Sequence, residues 1–303
     1  MNDCSGLYKG PLVSVIIPTF NRGATIRRCL NSIREQTFTD WEAIVVDNFS
    51  SDNTEHIVSS LSDSRIKFYR IRNYGCVAVS RNFGVQKSEG DLISFLDSDD
   101  WWTPNKLSEI LRLRPNTDCI MYHDFFLDSA SRPKFFPKRV LKTRQLTNPY
   151  FTDLIVHGNA LINSGVVMSR SLFNRIGEIS TNKSLITAED YDYWLKASEL
   201  NVKFTRVPLV LGYYSLGHDN LSTLDASHKA TLHLLGKYKK KMKDQGLKLP
   251  AWMALLFMRK ALKKRQISRA FRYLCYLNFA KFSWALGLRG ILWVIAHMLK
   301  IKI

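Results

Sequence analysis

The sequence reads Asp91-Leu-Ile-Ser-Phe-Leu-Asp-Ser-Asp-Asp-Trp-Trp102 at the point that decides the fold. The run Asp91–Leu96 predicts a buried strand, and further acidic residues follow it directly. Asp97 and Asp99 are two positions apart, so in an extended chain their carboxylates point the same way. Paired oxygen ligands suit a hard divalent cation such as Mg²⁺ or Mn²⁺, held together with substrate phosphates. The stretch therefore predicts a metal site beyond the strand, with a solvated acidic turn as the alternative.

Strands and helices alternate on the N-terminal side of this stretch. We predict strands at Leu12–Pro18, Trp41–Val46, Ile66–Ile71 and 91–96, and helices at Ala24–Glu35, Asp52–Leu61 and Cys76–Lys87. Such alternation implies a mainly parallel sheet with helices on both faces. Ligands of these sheets bind beyond the carboxyl ends of the strands. Thr19 and Asn21 follow the first predicted strand, and Asp47 and Asn48 follow the second.

The pattern is more mixed in the second half of the chain. We predict short strands at 119–126 and 165–168, a strand-like run at Val207–Tyr214, helices at Pro104–Leu113, Ser171–Gly177 and Ala188–Leu200, and helices throughout after Leu224. The fold class is therefore α/β, with a C-terminal helical extension.

Charge is distributed unevenly along the chain. The 303 residues suffice for one large or two smaller domains, and an apolar content of 46% argues against disorder. The formal net charge is +18, yet residues 225–303 hold 18 of the 44 basic residues and only two of the 26 acidic ones. The basic character therefore belongs to the tail, and residues 1–224 are nearly neutral.

Cysteine usage and the N-terminus indicate a cytosolic compartment. The five cysteines are scattered and form no Cys-x-x-Cys pair, so neither a disulfide framework nor a cysteine zinc site is supported. We expect reduced, structural thiols. The first residues, Met-Asn-Asp-Cys-Ser-Gly, lack the basic and apolar regions of a signal peptide.

The tail interleaves basic and apolar residues at helical spacing. Arg259, Lys260, Lys263 and Lys264 fall on one helical face. Residues 284–303 are more apolar, but their uninterrupted run is shorter than the ~20 residues of a membrane span. Helices with apolar and Lys/Arg faces plus Trp lie in the membrane interface. We expect the tail to bind an anionic membrane surface rather than nucleic acid, and a helical cap packed on the rest of the chain is the other alternative.

Five motifs stand in order along the chain. They are Val13-Ser-Val-Ile-Ile-Pro-Thr-Phe-Asn21, Val45-Val-Asp-Asn-Phe-Ser-Ser-Asp-Asn-Thr54, Ser80-Arg-Asn-Phe-Gly84, Leu96-Asp-Ser-Asp-Asp-Trp-Trp102 and Glu189-Asp-Tyr-Asp-Tyr-Trp194. Together they resemble the family 2 glycosyltransferases with the GT-A fold, of the bacterial O-antigen or capsule type. The resemblance covers residues 11–220. It implies transfer of a sugar from a nucleotide diphosphate to an acceptor hydroxyl, with inversion.

The resemblance also assigns the donor side of the site. Asp99 is the implied principal metal ligand, with Asp97 assisting, and the implied cofactor is Mn²⁺ or Mg²⁺, which neutralises charge on the departing diphosphate. The implied donor-binding residues are Thr19, Phe20, Asn21, Asp47, Asn48, Arg81, Asp97 and Ser98. Arg81 would reach the donor phosphates, because a guanidinium pairs two-pronged with anionic oxygens. The alternatives are a turn-anchoring role for Asp47 and a surface ion pair for Arg81.

Asp190 is the implied general base, which takes the acceptor proton as the new bond forms. Glu189 is an alternative base, and both acids and Asp192 together are alternatively a solvated helix face. His218 is a candidate metal ligand or a residue that closes over the diphosphate, and a loop histidine without a role is its alternative. Trp101 and Trp102 are expected to pack rather than to bind sugar.

The chain departs from the family pattern in the second motif. Asn48 stands where the family has Asp, and Phe49 stands where it has Gly, so this turn cannot rely on a glycine with positive φ. Both differences concern the nucleobase contacts. The chain also has no Gln-x-x-Arg-Trp motif, which favours single-sugar addition over polymerisation.

The predicted organisation is a GT-A catalytic domain at residues 1–224, with a nucleotide-sugar half at 11–103 and an acceptor half at 104–224, and a basic amphipathic membrane-associating region at 225–303. We predict a peripheral enzyme on the cytoplasmic face of the membrane. It would transfer one hexose or N-acetylhexosamine from a UDP-sugar to a polyprenyl diphosphate-linked sugar in O-antigen, capsule or lipopolysaccharide assembly. The alternatives are transfer onto polyprenyl phosphate and a non-catalytic basic protein that binds membranes or nucleic acid.

Overall fold

The computed structural model describes residues 12–113, 118–128, 139–200, 202–216 and 223–279. The strands are β1 (Val13–Thr19), β2 (Trp41–Asp47), β3 (Ile66–Arg70), β4 (Leu92–Phe95), β5 (Trp101–Trp102), β6 (Cys119–Asp128), β7 (Arg139–Leu141), β8 (Val167–Ser169) and β9 (Lys203–Ser215). The helices are α1 (Ile26–Arg34), α2 (Thr54–Ser60), α3 (Val77–Lys87), α4 (Lys106–Arg112), α5 (Tyr150–His157), α6 (Arg170–Ile176), α7 (Glu189–Ser198), α8 (Leu224–Asp244), α9 (Ala251–Lys263) and α10 (Ile267–Phe279). Within the described residues, the predicted strands and helices are confirmed to within a few residues at their ends, whereas α5, β5 and β7 were not predicted. Residues 280–303, also predicted to be helical, lie outside the described residues.

The strands described form one sheet in the order β3-β2-β1-β4-β8-β6-β9-β5, with β7 paired to β6. The neighbours β3, β2, β1 and β4 are all parallel, as predicted. Beyond β4 the sheet is mixed, because β8 runs antiparallel to both β4 and β6 while β9 runs parallel to β6. The loops that follow β1, β2 and β4 therefore emerge at one edge of the sheet.

The core lies around the parallel strands. Every residue of β1, β2 and β4 is buried, which explains their continuous apolar composition. Helix α3 packs closely on β1 at Gly84, where an added Cβ would lie 2.6 Å from Ile16 Cγ2. Glycine at this position lets α3 approach the sheet, and α3 also carries Arg81.

Strand β9 is interrupted by a bulge opposite β6. His123 pairs with Val207, but the next residue, Asp124, pairs with Val210. Pro208 lies in this interruption, and proline cannot donate to the ladder, which is why it sits at a bulge. After the bulge, β9 continues along β6 in the shifted register and ends at Ser215.

The chain divides into two compact units. The first comprises Met1–Leu146, Ala160–Asn182 and Asp192–Asn220, and the second comprises Thr147–Asn159, Lys183–Tyr191 and Leu221–Ile303. The second unit thus combines the C-terminal helices with two short segments from the predicted catalytic domain. The domain boundaries proposed from the sequence stay a prediction.

The second unit is a packed cluster of helices. Buried residues of α9 and α10, among them Met258, Leu262 and Leu274, form one apolar cluster. Trp252 Nε1 donates to the Ile155 carbonyl at 2.9 Å and so ties α9 to α5. The described part of the tail therefore packs on a segment of the predicted catalytic domain, as the helical-cap alternative requires. Residues 284–303, the most apolar part of the tail, lie outside the described residues.

None of the helices that the structure describes combines the length and the apolar character that a bilayer crossing demands.

Candidate active site

The acidic turn lies where β4 ends, at the carboxyl edge of the parallel strands. The Asp100 N–H donates to the Asp97 carbonyl at 2.9 Å and closes a turn over Ser98 and Asp99. The side chains of Asp97 and Asp99 are 34% and 26% exposed, whereas Ser98 and Asp100 are buried. The two carboxylates that the sequence predicts as metal ligands are therefore both accessible on one short turn.

Each of these two carboxylates has an arginine partner. Arg81, buried on α3, places Nη2 2.8 Å from Asp97 Oδ1, and Arg22 places Nη2 3.6 Å from Asp99 Oδ2. Arg81 therefore pairs with an accessible acid, as its alternative holds, although its own guanidinium is buried and its partner belongs to the acidic turn itself. Its contact with donor phosphates stays a prediction.

The turn concentrates negative charge. Burial raises the pKa of the Asp99 carboxyl above its ordinary value, and the nearby charge of Asp97 raises it further. The guanidinium groups of Arg22 and Arg28 lower it, but not enough to cancel the rise. A cation bound at the turn would favour the charged form of the Asp99 carboxyl.

A buried network holds the backbone of this turn. Ser164 Oγ accepts the Asp97 N–H at 3.1 Å and donates to Asp100 Oδ2 at 2.6 Å. Asp100 Oδ1 accepts the Ser215 N–H at 2.9 Å, and Trp102 Nε1 donates to the Ser164 carbonyl at 2.7 Å. Trp102 is therefore a packing residue, as expected. The network joins the acidic turn to residues that are distant in sequence.

The residues of the turn fit a divalent cation. Magnesium and manganese prefer oxygen ligands and bind through one or two carboxylates together with substrate phosphates. Within the described ranges, no group of three His, Cys, Asp or Glu side chains is placed to hold a metal by itself. Asp97 and Asp99 supply two accessible carboxylates, which are oxygen ligands of this kind. His218, the third predicted ligand, lies outside the described residues.

The residues predicted to contact the nucleobase lie at the ends of β1 and β2. Thr19 pairs with Asp47 in register, and both are buried. The Asp47 carboxylate accepts the Ser50 N–H at 2.9 Å and also the Ser50 hydroxyl, and Asn48 Oδ1 accepts the Asn73 N–H at 2.9 Å. Asp47 and Asn48 therefore hold the loops of this edge, and their donor contacts stay predictions.

Asn21 ties the same two loops together. Its Oδ1 accepts the Ser51 N–H at 2.8 Å, and its own N–H donates to Ser50 Oγ at 2.8 Å. Its φ of 51° lies in the left-handed region, which asparagine adopts more readily than most residues. The structure gives Asn21 a role in shaping the edge, and its donor-binding role stays a prediction.

Two aromatic rings are exposed at this edge. Phe20, which follows β1, is 51% exposed, and Phe49 is 44% exposed. Phe49 adopts a φ of 55°, so the turn reaches the left-handed region without glycine, at a cost of about 1–2 kcal/mol. The Arg70 and Arg72 guanidinium carbons lie 5.0 and 4.7 Å from the Phe49 ring centroid, and these contacts offset part of that cost.

Two basic side chains are fully buried near β4. Lys106 Nζ lies 2.8 Å from Ser94 Oγ and 3.5 Å from the centroid of a Trp102 ring. Burial lowers the pKa of Lys106 well below its ordinary value. His123 Nδ1 lies 2.9 Å from the Asp124 carbonyl, and burial, together with the charge of Lys106, lowers the pKa of His123 to about 3. The core of the first unit thus contains a histidine that stays neutral at physiological pH.

Asp190 lies in the first turn of α7, in the part of this helix that belongs to the second unit. Asn159 Nδ2 donates to its Oδ2 at 3.2 Å, and the Tyr191 N–H donates to its Oδ1 at 2.7 Å. Asp190 is half-buried, while Glu189 and Asp192 are 7% and 2% exposed. The alternative of a solvated acidic face was therefore wrong for these two neighbours. The role of Asp190 as a base stays a prediction.

A cavity of about 400 Å³ opens beside Asp190 within the second unit. Its volume falls in the range of small-molecule sites. Asn159 and Asp190 contribute a polar wall, and α8 and α9 contribute most of the remainder. Their basic and apolar composition predicts a membrane surface for α8 and α9, and it does not predict that they line a cavity beside the candidate base.

Three contributors to these sites were missed at the sequence level. Arg22 directly follows the first motif, so a search for basic partners of the acidic turn would have found it. Ser164 and Asn159 belong to no motif, and each acts on an aspartate far away in sequence. Nothing in the local pattern distinguishes such residues from ordinary polar loop residues.

Relatives of known family match most of the chain. Residues 14–174 match the family described as glycosyl transferase family 2. The Escherichia coli protein "UDP-Glc:alpha-D-GlcNAc-diphosphoundecaprenol beta-1,3-glucosyltransferase WfgD" is 31% identical over 217 residues, which cover 70% of this chain and 80% of that protein. The "putative colanic acid biosynthesis glycosyl transferase WcaA" of Escherichia coli K12 is 29% identical over 202 residues, covering 63% and 67% of the two chains.

Solved structures share the fold. Staphylococcus aureus TarS 1-349 in complex with UDP-GlcNAc superposes with a TM-score of 0.59 at 21% identity, over 86% of this chain and 79% of that one. The mannosyltransferase PcManGT from Pyrobaculum calidifontis, in complex with GDP-Man and Mn²⁺, gives a TM-score of 0.57 at 18% identity, over 96% and 83%. These likenesses confirm the predicted GT-A-type α/β fold. With the family match and the 31% identical relative, they show that this chain belongs to glycosyl transferase family 2 and is a glycosyltransferase.

Proposed function

We propose that the protein is a metal-dependent, inverting transferase that adds a single hexose or N-acetylhexosamine from a UDP-sugar to a hydroxyl of a lipid-linked sugar. The acceptor is a sugar on polyprenyl diphosphate, and the product enters bacterial surface polysaccharide such as O-antigen, capsule or lipopolysaccharide. The observation that carries the proposal is the acidic turn, where Asp97 and Asp99 are both accessible and balanced by arginines.

The acidic turn binds the diphosphate of the donor. Asp99 and Asp97 would hold Mn²⁺ or Mg²⁺, which supplies Lewis-acid stabilisation of the charge on the departing diphosphate. Arg81 and Arg22 already lie within 2.8 and 3.6 Å of these carboxylates, so their guanidinium groups are placed to share charge with the phosphate oxygens. The Ser164–Asp100 network keeps the turn in place while the charge changes.

Asp190 supplies the base. The acceptor hydroxyl gives its proton to the Asp190 carboxylate while its oxygen bonds to the anomeric carbon of the donor sugar. The bond from that carbon to the diphosphate oxygen breaks on the opposite face, and the electron pair leaves with UDP. One displacement inverts the anomeric centre and needs no covalent protein intermediate. The hydrogen bonds from Asn159 and Tyr191 orient the carboxylate for this role.

The donor and acceptor classes come from likeness to relatives. The names of WfgD and of WfaP, the latter 28% identical over 214 residues, specify UDP-Glc as donor and GlcNAc-diphosphoundecaprenol as acceptor. TarS was solved with UDP-GlcNAc. The name of WcaA places that relative in colanic acid biosynthesis. We assign the same classes of donor and acceptor to this chain.

Exposed side chains of α10 support attachment to an anionic membrane on the cytoplasmic face. Ile267 and Phe271 lie one helical turn apart and are 43% and 58% exposed. Lys264, Arg265 and Arg272 are exposed close to them in sequence. Apolar side chains flanked by Lys and Arg are the composition of helices that lie in the membrane interface.

Donor turnover tests the enzymatic proposal. The purified protein is incubated with UDP-Glc, UDP-GlcNAc, UDP-Gal and GDP-Man, with Mn²⁺, Mg²⁺ or excess chelator. Release of the nucleotide is measured with a GlcNAc-diphosphate-lipid, with polyprenyl phosphate, and with no acceptor. We expect metal-dependent release from one UDP-sugar and a product with inverted anomeric configuration. Full activity in chelator, retention of configuration, or transfer only to polyprenyl phosphate would contradict the proposal.

Vesicle sedimentation tests the membrane proposal. We expect binding to phosphatidylglycerol-containing vesicles that high salt weakens without abolishing, because salt screens exposed charges but not buried apolar area. The double change Ile267→Glu and Phe271→Glu should release the protein. Leu232→Glu is the matched control, since Leu232 is 50% exposed on α8. Equal binding by the double variant and the control would contradict the assignment to α10.

A further inference from the structure

We infer that the groove between α8 and α9 binds the diphosphate-lipid part of the acceptor, with Arg259 as the residue that binds the diphosphate. The inference rests on the proposed function, which supplies the acceptor class. It gives the C-terminal helices a second role beside membrane attachment, because part of their surface becomes a wall of the acceptor site.

One face of α9 forms the apolar and cationic wall of the cavity. Trp252, Leu255, Leu256 and Arg259 all line it, at the i, i+3, i+4 and i+7 spacing of a single helix face. Trp252 is fixed by its bond to the Ile155 carbonyl and by an edge-on contact with Tyr191, whose ring centroid is 5.8 Å away. This wall is therefore held in place at Trp252, and its other end is the Arg259 guanidinium.

The cavity also has polar lining residues. Ser227 and Thr231, one turn apart on α8, line it together with Asn159 and Asp190. A sugar with several hydroxyl groups matches these residues, which include the candidate base. A ligand that fills the cavity must therefore combine a polar sugar, an anionic group and an apolar chain, which is the chemistry of a lipid diphosphate sugar.

Arg259 differs from the other basic residues of α9. Lys260 forms an ion pair with Asp225, and Lys263 Nζ lies 3.9 Å from the same carboxylate. This ion pair ties α9 to the first turn of α8 and so fixes the groove. Of these three residues, Arg259 lines the cavity, and its planar guanidinium suits bidentate contact with phosphate oxygens better than an ammonium does.

Kinetics with two acceptors test the inference. The probes are undecyl diphosphate-linked GlcNAc and undecyl GlcNAc glycoside, which differ only in the diphosphate. For Arg259→Met we expect the ratio of kcat/KM between the first and the second probe to fall roughly 10- to 100-fold, the scale of a lost charge-assisted hydrogen bond. Arg259→Lys should restore part of the ratio. Lys240→Met, which removes an exposed charge on α8 that does not line the cavity, should leave the ratio unchanged.

Direct binding separates this inference from the proposed function. Equilibrium binding of undecyl diphosphate is measured without donor, with thermal unfolding as a check that each variant is folded. Binding that depends on Arg259, in a protein that transfers sugar to neither probe, would support the groove and contradict the proposed function. An unchanged ratio and unchanged binding in Arg259→Met would overturn the inference while leaving the transferase intact. A rise in the KM of the UDP-sugar alone would also overturn it, because the diphosphate would then be that of the donor.

Discussion

The acidic turn and the Asp190 cavity present carboxylates in opposite ways. At the turn, Asp97 and Asp99 face guanidinium groups at 2.8 and 3.6 Å, and burial and mutual repulsion raise the pKa of Asp99. In the cavity, Asp190 accepts hydrogen bonds from a side-chain amide and a backbone N–H at 3.2 and 2.7 Å. At the acidic turn, neighbouring carboxylates repel each other, and a bound cation would reduce this repulsion. In the cavity, hydrogen bonds orient a single carboxylate beside an open space.

This difference supports the different tasks that we propose for the two sites. A cation site gains from neighbouring carboxylates, because their repulsion is removed when the metal binds. A general base needs one carboxylate in a fixed orientation, within reach of a hydroxyl. If the proposed function holds, charge stabilisation and proton transfer are separate in this chain, and substitutions at the two sites should lower activity in different ways.

The largest effect is expected at the acidic turn. Asp99→Asn should lower turnover about 10³-fold or more, since the lost stabilisation amounts to several kcal/mol. The affinity for UDP should also lose its dependence on Mn²⁺ or Mg²⁺. Steady-state kinetics and UDP binding with and without chelator measure both effects. Asp128→Asn, the same substitution in an exposed pair with Arg28, should change neither. If the UDP affinity of Asp99→Asn still depends on Mn²⁺ or Mg²⁺, the acidic turn does not have the metal-binding role that distinguishes it from the cavity.

The cavity should show the reverse pattern. Asp190→Asn should lower transfer by about 10²-fold or more, the scale of general-base catalysis, while the metal-dependent affinity for UDP is kept. The comparison variant is Glu189→Gln, the neighbouring acid. If Glu189→Gln loses transfer and Asp190→Asn keeps it, the base is Glu189. If Asp190→Asn loses UDP binding instead, the two sites are not separate in function.

A smaller effect is expected for the hydrogen-bond network of Ser164 and Asp100, which holds the backbone of the acidic turn. Ser164→Ala removes the hydrogen bond of the Asp97 N–H and the one that Asp100 Oδ2 accepts, while Asp100 Oδ1 keeps its bond from the Ser215 N–H; we expect a cost of about 1–3 kcal/mol of stability. We also expect a roughly tenfold weaker metal-dependent UDP affinity. Ser14→Ala is the matched control, because Ser14 Oγ donates to Glu42 at 2.7 Å and accepts the Gly90 N–H at 2.8 Å. Equal loss of UDP affinity in both variants would reduce Ser164 to a structural role.

The smallest effect concerns pH and the core of the first unit. The pKa of His123 is about 3 when folded and ordinarily 6.5, so between these values the unfolded chain binds one more proton. Stability is therefore independent of this group above pH ~6.5 and falls as the pH drops below it, by about 1.4 kcal/mol per pH unit. Denaturant unfolding at pH 7.0 and 5.5 measures the slope. His123→Asn, which offers an amide donor to the Asp124 carbonyl, should have a smaller slope. Identical slopes would show that His123 is protonated in the fold.

Much of the acidic turn was predictable because its signal is local. The β-branched runs that became β1 and β2 and the alternation with helices are all readable within short windows, and Asp97 and Asp99 were expected where β4 ends. The sequence analysis also expected Trp102 to pack, which its bond to the Ser164 carbonyl confirms. What it did not predict was that Arg81 pairs with Asp97, because partner choice depends on how α3 packs on the sheet.

The cavity was far less predictable for a physical reason. Asn159, Asp190 and Arg259 are brought together by helix packing, and no periodicity relates positions so distant in sequence. The amphipathic face of α9 was recognised, but its apolar stripe fits a membrane and a protein cavity equally well. The conformation of Phe49 also escaped prediction, because a non-glycine residue in the left-handed region is held by its surroundings rather than by its own preference.

The division of the chain into interleaved units bears on how such enzymes are recombined. The second unit takes in Thr147–Asn159 and Lys183–Tyr191 as well as the C-terminal helices, so no single cut separates it from the first. A chimera that exchanges only the tail with a relative would join new helices to old packing partners, Ile155 and Tyr191 among them. Acceptor preference would then transfer only when the three segments are exchanged together, as one discontinuous cassette.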